Sequence, residues 1–383
     1  MLGAGCHRVN TLVATVAYRA NVRPKLSNAV GSRYTPRMAS TLDRAADRPR
    51  RSTTIAFIAE QAGVSVPTVS KVINGRSDVA PETRQRVEAA IRAHGYQRPT
   101  RALRAAPMIE LIFHELESEW ALEIVRGVER VAGRRQLAVV LSETQGRRTP
   151  GRGWIEGVVA RRPLGVIAVF SDLSDTMLGQ LRSRGIPFVV VDPTGEPHHD
   201  TPSVGATNWN GGLTATRHLL GLGHRRIAVI GGPEGILCSR ARMDGYRAAM
   251  DAAGVPIDPQ LLSHGPFHVD EGVGQARRLL RLSDRPTAII AGNDLQALGV
   301  YQAAREARLH IPEDVSVVGF DDLPIARWVS PPLTTIRQPL FEMAETAAEL
   351  VLDLAEGIPP AQPRLELATE LVIRESTGVP PAS

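Results

Sequence analysis

The chain has 383 residues, 43% hydrophobic and 22% charged, a composition that suits an ordinary folded protein with room for two or three domains. No apolar run reaches the roughly 18 residues that a membrane helix needs, which argues against an integral membrane protein. Two cysteines, Cys6 and Cys238, supply no disulfide framework and suit a reducing cytoplasm.

The formal net charge of +5 hides a division: residues 1–106 hold 18 Lys/Arg against 6 Asp/Glu, and the remainder holds 27 against 34. A basic front end on an acidic body predicts that the front meets a polyanion. Residues 1–42 carry six basic residues and no acidic one, a composition like that of a transit peptide. The expectation for residues 1–51 is a disordered basic extension, with Met38 as a candidate translation start.

Residues 52–96 read as a small three-helix domain. Ile55, Ile58, Ala59 and Ala62 fall at helical spacing, as do Val69, Val72 and Ile73, and then Val87, Ala90, Ile91 and His94. Gly63 breaks the first helix, Ser65 can N-cap the second, and Pro67 lies harmlessly in its first turn. Pro81 opens the third and Gly95 closes it. A linker rich in Arg and Pro follows over residues 97–107, "QRPTRALRAAP". From 108 to 376 short apolar runs alternate with helical patterns: "IELIF", "LAVVL", "GVIAVF", "FVVVD", "RIAVIGG", "TAIIAG" and "VSVVGF". That alternation predicts doubly wound, mostly parallel α/β sheets, and the length predicts two similar lobes. The expectation for residues 377–383 is a tail.

On the second helix Val69, Val72 and Ile73 point into the bundle and leave Val66, Pro67, Ser70, Lys71 and Asn74 outside. A helix fits the DNA major groove, and the first turns of a helix-turn-helix recognition helix make the base contacts. Lys71 can donate to guanine O6 and N7, Val66 can pack on a thymine methyl, and Thr68 and Ser70 can reach phosphates or base edges. In the larger part, strands end in Asp192, in Asn293 and Asp294, and in Asp321 and Asp322. Ligands of doubly wound sheets bind beyond the carboxyl ends of strands, and acceptors gathered there suit a polyhydroxylated ligand. Asp and Asn also favour such positions as turns and caps, and for any one of them alone that explanation is as good.

Several features carry no chemistry. "HHD" (198–200) lacks further ligands at metal spacing and reads as a surface turn. His224 reads as a helix-to-strand turn, Cys238 as a small buried residue near the ligand side, and Trp154, Trp209 and Trp328 as packing. "GGPEG" (231–235) is neither a dinucleotide fingerprint nor a Walker sequence. No catalytic residue, metal or cofactor is expected. An enzyme on this fold would need a phosphate-cradling loop or a placed nucleophile, and a periplasmic-type sugar-binding protein would leave residues 54–95 unexplained.

"TIAFIAEQAGVSVPTVSKVING" with "VAPETRQRVEAAIRAHGY" resembles the DNA-binding head of the lactose-repressor/galactose-repressor (LacI/GalR) family. The likeness continues through "LGHRRIAVIGGP", "RARMDGYRAAMDAAG", "AGNDLQALGVYQA", "IPEDVSVVGFDD" and "SPPLTTIRQP", roughly residues 54–376. It implies a cytoplasmic, homodimeric, sugar-responsive repressor that binds a palindromic double-stranded DNA operator. The effector domain would resemble periplasmic binding proteins, and ligand binding would change the angle between its lobes. The family's tetramer-forming leucine heptads are absent, which implies a dimer. The expected DNA-contacting set is Thr54, Ser65, Val66, Pro67, Thr68, Ser70, Lys71, Asn74 and Tyr96, with Arg101, Leu103 and Arg104 from the linker.

By the same resemblance Asp192, Arg242, Asn293 and Asp321 match positions that hydrogen-bond the effector, and Trp120 and Phe267 match positions that pack on it. Glu115, Glu117 and Glu119 are unusual beside the end of the first strand. With carboxylates dominating the cleft, the expected effector is a neutral mono- or oligosaccharide rather than a sugar phosphate. Three departures stand out: Phe57 replaces the usual Asp, Ala80 replaces a capping Ser, and the linker offers only Leu103 as a minor-groove wedge, close to Pro99.

Overall fold

The computed structural model describes residues 54–74, 76, 79–94, 96, 105–116, 118–144, 146–196 and 200–381. Two compact units are present, a small helical one within residues 14–101 and a larger one from residue 102 onward.

The small unit is a three-helix bundle of α1 (Ile55–Ala62), α2 (Val66–Ile73) and α3 (Pro81–His94). Thr54 caps α1 by accepting from Phe57 N at 3.2 Å, and Gly63 ends it at φ +64°, where a side chain would strain the backbone. Ser65 caps α2 through Thr68 N at 3.3 Å, and Pro67 sits in the first turn. Ile58, Val69, Val72, Ile73 and Val87 fill the core. Arg84 donates to the Arg76 carbonyl and ties the α2–α3 turn to α3. His94, read from spacing as part of the apolar face, is exposed instead. Its ring meets Phe57 edge-on at 5.1 Å between centroids, so the departure at 57 has a local packing partner.

The first lobe of the large unit runs β1 (Ala106–Phe113), α4 (Glu119–Arg134), β2 (Ala138–Glu143), α5 (Arg152–Arg161), β3 (Pro163–Val169), α6 (Asp175–Ser183), β4 (Phe188–Val191) and β5 (Ser203–Ala206). The second begins with α7 (Asn208–Gly221), β6 (Ile227–Gly231), α8 (Leu237–Ala252), β7 (Leu262–His264), α9 (Val269–Leu280), β8 (Ala288–Ala291), α10 (Asp294–Glu306), β9 (Ser316–Asp321) and β10 (Thr334–Arg337). The chain then returns to the first lobe for α11 (Leu340–Ala355) and β11 (Arg364–Leu367), and ends in the second with β12 (Glu370–Val372).

Each lobe is a six-stranded sheet, ordered β11-β5-β4-β3-β1-β2 and β12-β10-β9-β8-β6-β7. Every pairing is parallel except β10 with β12. Helices cover both faces, as parallel sheets require: Ile109, Leu111 and Phe113 pack under α4 and α11, and Val166 and Phe188 pack under α5 and α6. Glu110 is fully buried on β1, where Arg161 donates to it through Nε at 3.0 Å and Ser142 Oγ at 3.1 Å. In the second lobe α7 and α8 cross so closely that a Cβ on Gly245 would lie 2.1 Å from the Trp209 carbonyl oxygen.

Three crossovers, at Thr207, Gln338–Pro339 and Thr369, join the lobes. Two of them are stitched together: Thr369 N donates to Thr207 Oγ1 at 3.0 Å, and Thr207 N donates to the Leu367 carbonyl at 2.9 Å.

Candidate functional site

The carboxyl ends of both sheets face one another across a cleft of about 370 Å3, within the range of small-molecule sites. All six residues expected at an effector site line it: Trp120, Asp192, Arg242, Phe267, Asn293 and Asp321. Asp192 follows β4 and Asp321 ends β9, at φ +48° and +112°, positive values that side chains rarely adopt. Asn293 N-caps α10 by accepting from Gln296 N at 2.8 Å, and its amide donates to the Phe267 carbonyl at 3.2 Å.

Arg242 organises the polar end. Its Nε donates to Asn208 Oδ1 at 2.8 Å and its Nη1 to the Gly292 carbonyl at 2.6 Å. Its Nη2 lies 3.8 Å from Asp321 Oδ1, and the guanidinium stacks on Phe320 at 3.6 Å. Gln338, on the crossover after β10, donates to Asp321 Oδ1 at 2.6 Å, while its own Oε1 is buried without a partner. Burial pushes the Asp321 carboxyl up to about 7, and neighbouring Asp192 adds to the rise, against the opposing pull of Arg242 and Gln338. Burial also raises Asp192, with Arg242 opposing. Beneath them Asp294 is raised well above the usual carboxylate range by burial and by Asp321, while it accepts from Thr335 Oγ1 at 2.6 Å and Leu323 N at 2.8 Å.

Sequence reasoning missed the aromatic and histidine wall. Phe170, at φ +47° after β3, meets His114 at 6.0 Å, Trp120 at 6.3 Å and Phe267 at 6.3 Å between centroids. Ending an apolar run, Phe170 looks like the last residue of a buried strand, and only its backbone turn puts the ring at the cleft. His114 and His268 also line the cleft, and Glu115 Oε1 and Oε2 lie 3.6 and 3.5 Å from their Nε2 atoms. Glu119 takes another part, accepting from Ile325 N at 3.3 Å across the lobes, and Glu117 lies outside the described residues. Cys238 is buried in the lining, its thiol pushed up by burial. Trp209 and Trp328, expected to pack, are 44% and 72% exposed. Among the described residues no group of His, Cys, Asp and Glu could hold a metal ion.

In the helical unit Val66, Pro67 and Lys71 are exposed on α2 and Asn74 at its C-cap, with Thr68 and Ser70 half-buried beside them. Ser65 Oγ and Thr68 Oγ1 share a hydrogen bond at 2.8 Å, and the Asn74 amide donates to the Ser70 carbonyl at 2.7 Å. Tyr96, expected among the DNA contacts, is 6% exposed and packs into the apolar core of the bundle. Arg101, Leu103 and Arg104 lie outside the described residues.

Residues 54–99 match the model of bacterial regulatory proteins of the lacI family, and residues 216–377 match that of the periplasmic binding protein-like domain. The HTH-type transcriptional regulator CelR of Thermobifida fusca is 36% identical over 325 residues, 80% of this chain and 93% of that one. The chain belongs to the lacI family. The ribose operon repressor of Escherichia coli K12 is 34% identical over 320 residues, 82% of this chain and 96% of its own. Among solved structures, a CelR–cellobiose complex superposes with a TM-score of 0.65 at 33% identity, covering 84% of this chain and 99% of that one. The lac repressor dimer bound to operator and the anti-inducer ONPF gives 0.63 at 28% identity, covering 86% and 100%. This lacI-family chain is a DNA-binding transcriptional regulator built from a helix-turn-helix unit and a two-lobed α/β effector unit. Among its described residues no helix is long and apolar enough to cross a membrane.

Proposed function

We propose that this regulator is a sugar-responsive repressor that binds a palindromic operator as a homodimer, its DNA affinity set by a neutral mono- or oligosaccharide in the cleft. The observation that carries the effector class is the pairing of buried acceptors, Asp192 and an Asp321 braced by Arg242 and Gln338, with the rings of Trp120, Phe170 and Phe267. Hydroxyl groups donate to the carboxylates while the apolar faces of a pyranose cover the rings. A sugar phosphate would bring nearly two negative charges to a pocket in which Arg242 is already engaged by Asn208, Gly292 and Asp321.

On the DNA side, α2 enters the major groove, with Val66 and Lys71 reaching base edges and Ser65, Thr68 and Ser70 reaching phosphates. Thr54, Pro67 and Asn74 frame the same contact, and the linker residues Arg101, Leu103 and Arg104 complete it. The CelR–cellobiose complex and a lacI-family regulator solved with bound ribose make saccharides the natural panel to screen. A gel-shift titration of the gene's upstream region, with and without saccharides, tests the proposal. A retarded complex whose midpoint moves with a neutral sugar is expected. A midpoint moved only by phosphate esters, and restored by Arg242→Ala, would overturn the effector class.

A further inference from the structure

In the first lobe the cleft residues Asp192, Phe170 and His114 follow β4, β3 and β1, which are neighbours in the sheet. Two strand spacings therefore separate the ends of that row, about 10 Å. In the second lobe Asp321 ends β9, and His268 follows β7, the edge strand farthest from the crossovers. Both sheets thus run from carboxylates near the crossovers to histidines far from them. The cleft has two chemically different ends.

At the far end Glu115 stands between His114 of its own lobe at 3.6 Å and His268 of the other lobe at 3.5 Å, with all three partly exposed. This contact links the two lobes at one end of the cleft, and the rings of Trp120 and Phe170 line the same cleft. The cleft volume of 370 Å3 is about twice what one pyranose ring fills at interior packing density. An extended 1,4-linked disaccharide is also about as long as the row from Asp192 to His114.

We propose that the effector is a disaccharide, with one ring at the carboxylate end and one against Trp120 and Phe170, and that the Glu115–His268 bridge closes behind the second ring and excludes a third. The inference rests on the sugar reading above and adds a length to it. Calorimetry on the full chain tests it with glucose, xylose and galactose, their 1,4-linked disaccharides and the matching trisaccharides. In at least one series the disaccharide should bind about tenfold or more tighter than both its monosaccharide and its trisaccharide. Glu115→Gln and His268→Ala should each raise the trisaccharide-to-disaccharide affinity ratio at least about tenfold. A monosaccharide binding as tightly as its disaccharide would overturn the second ring site and leave the sugar reading standing. A trisaccharide as tight as the disaccharide on the unmodified protein, or an unchanged ratio in both variants, would overturn the bridge. Failure of every saccharide to bind would overturn the sugar reading and this inference with it.

Discussion

Replacing Asp321 by Asn should make the unliganded protein more stable and a worse sensor, with a pH dependence that identifies the cause. Asp321 is 5% exposed, and its carboxyl titrates near 7 in the fold against an ordinary 3.8. A carboxyl raised on folding costs nothing while both states are protonated, below 3.8. The cost of its charge grows as pH rises toward 7 and levels off above. At 1.36 kcal/mol per pH unit, the gap gives a cost on the order of 4 kcal/mol at pH 8. Asn keeps the shape, can still accept from Gln338 Nε2 and tolerates the positive φ. Asp294, raised partly by Asp321, should relax in the same direction. The assay is denaturant unfolding of wild type and Asp321→Asn between pH 5 and 8, followed through the effector unit's transition. The variant's advantage should increase with pH and flatten above 7, while saccharide affinity falls at least about tenfold through loss of charge-assisted hydrogen bonds. An advantage independent of pH, or greatest at pH 5, would refute the reasoning.

Lys71→Ala should cost about 1–3 kcal/mol at one base pair and relax preference there, measured by gel shift on single-substitution operators; uniform weakening would make Lys71 a phosphate contact. In the linker, Arg101→Ala with Arg104→Ala should shallow the log–log salt slope of operator binding by roughly two units and weaken binding more than Leu103→Ala. An unchanged slope with the Leu variant the worse binder would favour a minor-groove wedge. Gly245→Ala would drive a methyl into the Trp209 backbone where α7 and α8 cross and should destabilise the effector unit by about 1–3 kcal/mol, read from its unfolding midpoint.

Much of the site was legible because its residues obey local rules. Asp192, Asn293 and Asp321 end apolar runs, and in a doubly wound sheet that places them on one rim. Gly63 and Ser65 marked the end of α1 and the start of α2 through the chemistry of capping. What stayed hidden depends on long-range geometry. Phe170 and His114 reach the cleft by how strands end and pair, and His268 belongs with Glu115 only because the lobes face each other. The three or four residues of β5, β7, β10, β11 and β12 are too short to show a period, and the three crossovers that define the lobes carry no sequence signal. His94 shows the limit of spacing, since it keeps the helical phase of α3 yet lies exposed.

The central claim, that a sugar in the cleft controls DNA binding, is tested most directly by reciprocity. Saccharide affinity is measured on free and on operator-bound protein, and operator affinity with and without saturating saccharide. Linkage requires the two ratios to be equal, and a working switch should give about 5–150-fold in each. Equal ratios in that range, both collapsing in Asp321→Asn, are the result expected. A saccharide that binds free and DNA-bound protein with the same affinity would contradict the account.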